Sequence, residues 1–165
     1  MIGLISRSFK NKSTEVIKQL YVSMVRPYLD YCSPLWNPYG KGDIDRLERV
    51  QRRATKLVHG LRHFQYEDRL KALGFTTLED RRKRQDLIQL FKILKGFDHF
   101  PIEEHFEFPK SNTRGHSLKL KKTTNTNQVS KNRYCSRVIG AWNSLPEEII
   151  KSEDKSEFVK NWMTT

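Results

Sequence analysis

Between residues 16 and 29 the apolar side chains arrive in pairs at every fourth position: Val16/Ile17, Leu20/Tyr21, Met24/Val25 and Tyr28/Leu29. A strand would alternate with a period of two, whereas this spacing lays a broad apolar stripe along one side of an α-helix. Every other strong apolar pattern in the chain has the same helical period, so the fold class predicted is all-α. Ser13 or Thr14 can cap this first helix. Pro27 lacks a backbone donor, which predicts a kink or a restart there. Pro34 and Pro38 end the element.

Gly42-Asp43 is predicted to open the next helix, with Asp43 as N-cap and Gly60 just past its end. Ile44, Leu47, Val50, Ala54 and Leu57/Val58 form its apolar seam, and Arg46, Arg49, Arg52, Arg53 and Lys56 spread over much of the remaining surface. A short helix over 66–73 stops at Gly74. Thr77-Leu78-Glu79-Asp80 reads as a capping box for a longer helix that runs to about Lys95 and stops at Gly96. From 97 to 129 the periodicity fades. Ser117 to Leu120 alternates briefly and suits a short strand, and 123–128 is a polar loop. One further helix is expected over about 131–143, then a short turn of helix after Pro146 and a closing helix over 156–162.

Charge separates the chain further. The 165 residues carry 31 Lys and Arg against 19 Asp and Glu, a net charge of +12. Lys110 to Pro146 contains eight basic residues and no carboxylate, and 41–95 holds fifteen basic against eight acidic residues. The 96–109 stretch and the tail from Glu147 are net acidic. Segregation of this kind suits a surface that tracks phosphates, with the acidic segments facing elsewhere. Cys32 and Cys135 stand far apart and fit a reduced intracellular protein better than a disulfide framework. No apolar run approaches a membrane span, and no secretory signal stands at the N-terminus. The expectation is no membrane partner.

Catalytic constellations are missing. A polymerase needs clustered carboxylates for two metal ions, and the chain has no Asp-Asp pair. Its paired acids, such as Glu79-Asp80 and Glu147-Glu148, sit where first helical turns are expected and suit the helix dipole. The His and Cys spacings lack CxxC and HxxxH, and no Gly-rich phosphate loop or nucleophile elbow occurs. No catalytic residue, metal ligand or cofactor is assigned. Basic residues beside aromatics and small donors instead suggest nucleic-acid binding. The residues assigned to it are Arg46, Arg49, Arg52, Arg53 and Lys56, then Arg81, Arg82 and Arg84, then Arg114, His116, Lys119, Lys121, Arg133 and Arg137.

Several stretches carry a resemblance. Leu20-Tyr21 with Val25-Arg26-Pro27-Tyr28-Leu29-Asp30-Tyr31-Cys32 is followed by Trp36-Asn37-Pro38-Tyr39. Next come Leu47-Glu48-Arg49-Val50-Gln51-Arg52-Arg53-Ala54-Thr55-Lys56 and Tyr66-Glu67-Asp68-Arg69-Leu70. Leu78-Glu79-Asp80-Arg81-Arg82, Arg114-Gly115-His116 and Trp142-Asn143-Ser144-Leu145-Pro146 complete the series. Each motif is weak alone, but their order over nearly the whole chain resembles the region after the palm in LINE-type, non-LTR retrotransposon reverse transcriptases, especially jockey-like and chicken-repeat-like elements. The resemblance implies a helical thumb-like bundle over 1–97, a linker over 98–130 with room for a short hairpin, and C-terminal helices over 131–165. It implies a part of an RNA-directed DNA polymerase that grips RNA, RNA–DNA or DNA duplex without the catalytic palm. The palm itself would be the missing partner, and the location would be nuclear with cytoplasmic transit. Met1 to Ile5 reads as mid-protein sequence, as expected of a truncated or decayed copy. The alternative is a helical protein–protein interaction domain derived from such an element.

Overall fold

The computed structural model describes residues 1–109, 116–122 and 127–164. They are helical, with no strand among the described residues, as the apolar period requires. The chain divides into two compact units, Met1–Arg82 and Lys83–Thr165. The division falls inside a helix.

The first unit opens with α1 (Ile2–Ser8) and α2 (Thr14–Leu20), where Ser13 caps α2 by accepting the Val16 N–H. The expected break at Pro27 takes a specific form. Pro27 has no N–H to offer the Ser23 carbonyl, and the chain winds one π-helical turn over Tyr21–Val25 before restarting as α3 (Arg26–Asp30). The Ser23 hydroxyl also donates to the Gln19 carbonyl at 2.8 Å, a back-bond that bends helices.

Helix α4 (Lys41–Thr55) begins three residues before the expected start. Its N-cap is Gly40, and Asp43 lies in the first turn, where its carboxylate pairs with Arg46 at 3.0 Å instead of capping. The helix also ends earlier than Gly60 suggested. Leu57 and Val58 follow it in a turn, with Val58 buried and Gly60 at φ +84° farther on.

Helix α5 (Tyr66–Leu73) closes as predicted on Gly74, whose φ of +63° suits a residue without Cβ. The Phe75 N–H reaches back to the Leu70 carbonyl at 2.9 Å, the 6→1 bond of a Schellman end. Helix α6 (Leu78–Leu94) ends the same way, with the Phe97 N–H on the Lys92 carbonyl at 2.8 Å and Gly96 at φ +76°. At its start Thr77 Oγ1 accepts the Asp80 N–H, but the Asp80 carboxylate takes the Thr77 hydroxyl instead of a backbone N–H. Ile5, Ile17, Tyr21, Val25, Leu29, Ala54, Val58, Leu73 and Leu78 form the core of this unit.

In the second unit α6 is followed by α7 (Ile102–His105), α8 (Gln128–Asn132), α9 (Tyr134–Asn143), α10 (Glu147–Ile150) and α11 (Lys155–Thr164). The single helix expected over 131–143 is two helices. Arg133 is extended at ψ 147° between them, and Asn127 caps the first by accepting the Ser130 N–H. Ser117 to Leu120 forms no strand. The segment is held by a side chain, since Asn143 accepts the Leu120 N–H at 3.0 Å and donates to its carbonyl at 2.7 Å. The core gathers Leu90, Phe91, Ile139, Trp142 and Phe158, with Phe91 and Phe158 stacked at 4.4 Å.

Candidate nucleic-acid interface

The polar residues of the sequence motifs are largely spent on one another. Asp30 and Arg81 form an ion pair at 2.7 Å. The neighbouring Arg82 is buried, donates to the Leu29 carbonyl at 2.6 Å and lies over the Trp36 ring at 4.1 Å. The α3 segment, the tryptophan turn and the start of α6 are tied together in this way. Arg26 lies over the Phe75 ring at 4.7 Å, and burial, followed by the neighbouring Arg81, draws its pKa below the usual arginine value.

A second network runs along the inner side of α4. Glu48, Gln51 and Thr55 are buried there although polar. Gln51 accepts the Tyr21 hydroxyl at 2.7 Å and donates to the Tyr66 oxygen at 2.9 Å, while Tyr66 donates to Glu48. Arg69 donates to Thr55 Oγ1 at 3.0 Å. Burial pushes the Tyr21 and Tyr66 hydroxyls well above the ordinary tyrosine range, and for Tyr66 the Glu48 carboxylate adds to the effect.

In the second unit Arg137 forks onto Asp86, Nε at 2.8 Å and Nη2 at 2.9 Å, in largely buried surroundings. His116 is buried with Nε2 3.0 Å from the Trp142 carbonyl. Arg84 is half-buried, 5.2 Å from the Trp162 ring centre. Lys121 is exposed but meets Glu107 at 2.6 Å. Lys119 is half-buried and Arg133 exposed. Arg114 lies outside the described residues.

Two groups stand out among the assigned residues. Arg81, Arg82, Arg137 and His116 hold their own units together, a use that charge patterning in the sequence does not reveal. Arg49, Arg52 and Arg53 on α4 and Lys56 at its C-cap are all exposed, at the i, i+3 and i+4 spacings of one helical face. Arg52 lies over the Tyr66 ring, 4.9 Å from its centre.

From Arg53 and Lys56 this face runs into a concavity of about 890 Å³ between α1 and the end of α4. Arg7, Lys12 and Arg62 line it too, together with His59 and His63, and no carboxylate does. These lining residues were not legible as a group in the sequence, because they come from three separated segments. Their one legible signal was the absence of an acidic residue between Lys56 and Gln65. The segments are clasped by the His59 N–H, which donates to the Lys12 carbonyl at 2.8 Å.

Among the described residues no three His, Cys, Asp or Glu side chains gather as a metal ion would need, and no helix is long and apolar enough to cross a membrane. No protein-family model matches the chain, and no curated protein or solved structure matches it.

Proposed function

We propose that the chain is a nucleic-acid-binding module, the post-palm part of a retrotransposon reverse transcriptase, and that alone it holds RNA, RNA–DNA or DNA duplex without copying it. The observation that carries the binding reading is the exposed cationic surface of the first unit. Arg49, Arg52, Arg53 and Lys56 run along α4 into a concavity lined by Arg7, Lys12 and Arg62 and by no carboxylate. Among the described residues none of these seven forms an ion pair. Unpaired cations on one surface attract a polyanion and release its counterions on binding. The ordered motifs support the retrotransposon origin, and the mutual contacts of their polar residues give a physical reason for their occurring together.

Fluorescence anisotropy with a labelled RNA–DNA hybrid tests the reading. If five cations engage, raising salt from 50 to 200 mM weakens binding about 500-fold. Binding that is absent or independent of salt would remove it.

A second reading has its own observation. Tyr28, Tyr31 and Leu35, within eight residues of sequence, are 72%, 74% and 83% exposed, and large apolar side chains left in water favour docking. A protein partner, such as the palm of the parent polymerase, would cover them. Exchange of these three for Ser would then abolish capture of that partner while leaving the salt dependence of hybrid binding intact.

A further inference from the structure

We propose that the concavity between α1 and the end of α4 is a site for a clustered phosphate group, a tri- or polyphosphate carried free or as the 5′ end of an RNA. The proposal rests on the nucleic-acid reading and narrows it. Five cations converge on the concavity: Arg7 from the last turn of α1, Lys12 from the link before α2, Arg53 and Lys56 from the end of α4, and Arg62 from the turn beyond. Like charges drawn together without a carboxylate repel one another. A concavity of one sign focuses its field on whatever anion enters.

The frame beneath is built. Ile5 and Val58 are buried under the two sides, and the His59 N–H on the Lys12 carbonyl holds the segments together. His59 and His63 add ring nitrogens that can donate to phosphate oxygens. The volume, about 890 Å³, lies within the range of small-ligand clefts, roughly 300–1,000 Å³.

Shape decides between ligand classes. A duplex carries its phosphates on a convex surface, one per base step, and would rest on the exposed α4 ridge and the rim. Contiguous phosphates at a chain end are compact, bear several charges in one group and can enter. The ridge would then serve internal phosphates, and the concavity a terminus or a free polyphosphate.

The test uses the full chain at 0.15 M salt, two RNAs of one sequence bearing a 5′-triphosphate or a 5′-hydroxyl, and inorganic tripolyphosphate. The triphosphate RNA is expected to bind at least about tenfold tighter than its hydroxyl counterpart, as additional neutralised phosphates require, and tripolyphosphate to erase that advantage. The triple variant Arg7→Gln, Lys12→Gln, Arg62→Gln should lose the advantage while keeping its melting temperature, and Arg49→Gln should keep it. Tripolyphosphate binding as tightly as triphosphate RNA identifies the free anion as ligand; much weaker binding identifies the RNA end. Equal affinity for the two RNAs without tripolyphosphate binding, or an advantage that survives in the triple variant, overturns the site while the nucleic-acid reading stands. Tripolyphosphate binding with neither RNA bound keeps the anion site and removes the nucleic-acid reading. Failure of all three ligands removes both.

Discussion

Glu48 Oε2 accepts the backbone N–H of Leu78 at 2.9 Å, across thirty residues of sequence. A carboxylate buried on α4 thus takes up one of the N–H groups that α6 leaves unpaired at its N-terminus, where negative charge also suits the helix dipole. The same carboxylate accepts the Tyr66 hydroxyl, so three helices meet on one side chain.

Replacing Glu48 should be costly in a graded way. Glu48→Ala leaves the Leu78 N–H and the Tyr66 hydroxyl buried without an acceptor, at about 1–3 kcal/mol for each group so stranded. The Leu78 N–H and the Tyr66 hydroxyl sit on different carboxylate oxygens, so Glu48→Gln, with one acceptor oxygen and one NH2 donor, should recover only part of the loss. Urea unfolding followed by circular dichroism measures both, and equal stability of wild type and Glu48→Ala would contradict the role assigned to this residue.

Alkaline pH should unfold the protein. Burial raises the Tyr21, Tyr66 and Tyr134 hydroxyls above the ordinary tyrosine value. The folded state therefore holds these protons more tightly than the unfolded state. The stability gained is fully present below the unfolded value of about 10 and is lost as pH rises above it toward the folded value. Melting temperatures measured from pH 9 to 11.5 should fall through the upper part of that range, and Tyr66→Phe should fall less steeply.

Arg137→Gln should destabilise the second unit by about 1–3 kcal/mol, because it removes the two charge-assisted hydrogen bonds of the guanidinium fork from the buried Asp86 carboxylate. Arg137→Lys should recover only part, since an ammonium cannot reproduce the two-bond fork. At temperatures where the variants stay folded, their affinity for nucleic acid should match the wild type. A large affinity loss in folded Arg137→Gln would return this residue to the binding surface.

The salt dependence of binding should separate the two groups of cations. Changing Arg49, Arg53 and Lys56 to Gln should reduce the slope of log affinity against log salt by about 0.9 for each phosphate that is no longer neutralised on B-form DNA, with the melting temperature nearly unchanged. Arg82→Gln should do the reverse. Its slope should hold, and its stability should drop by about 1–3 kcal/mol as the Leu29 carbonyl loses its donor.

Helix identity was legible in the sequence because period and punctuation are local. The paired apolar positions from Val16 to Leu29, the stops at Gly74 and Gly96 and the Thr77 start each depend on neighbours within a turn or two. Boundaries were less legible, since a side chain distant in sequence can take up a segment's backbone groups. Arg133 split an expected helix, and Asn143 supplied the pairing that Ser117 to Leu120 was expected to find in a strand.

Charge was the feature least readable from composition. The sequence by itself determined that the chain is basic, that its elements are helices and where the exposed ridge of α4 would lie, since residues at i, i+3 and i+4 share a face whatever surrounds them. Only the tertiary structure decided which cations are committed. Arg81 and Arg82 meet Asp30 and the Leu29 carbonyl, and Arg137 meets Asp86, across about fifty residues in each case. Arg7, Lys12 and Arg62 belong to no shared motif and come together because His59 donates to Lys12 beside the end of α4. A guanidinium acts through the groups within a few ångströms of it, and over such separations those groups are chosen by the packing of helices and not by their order in the chain.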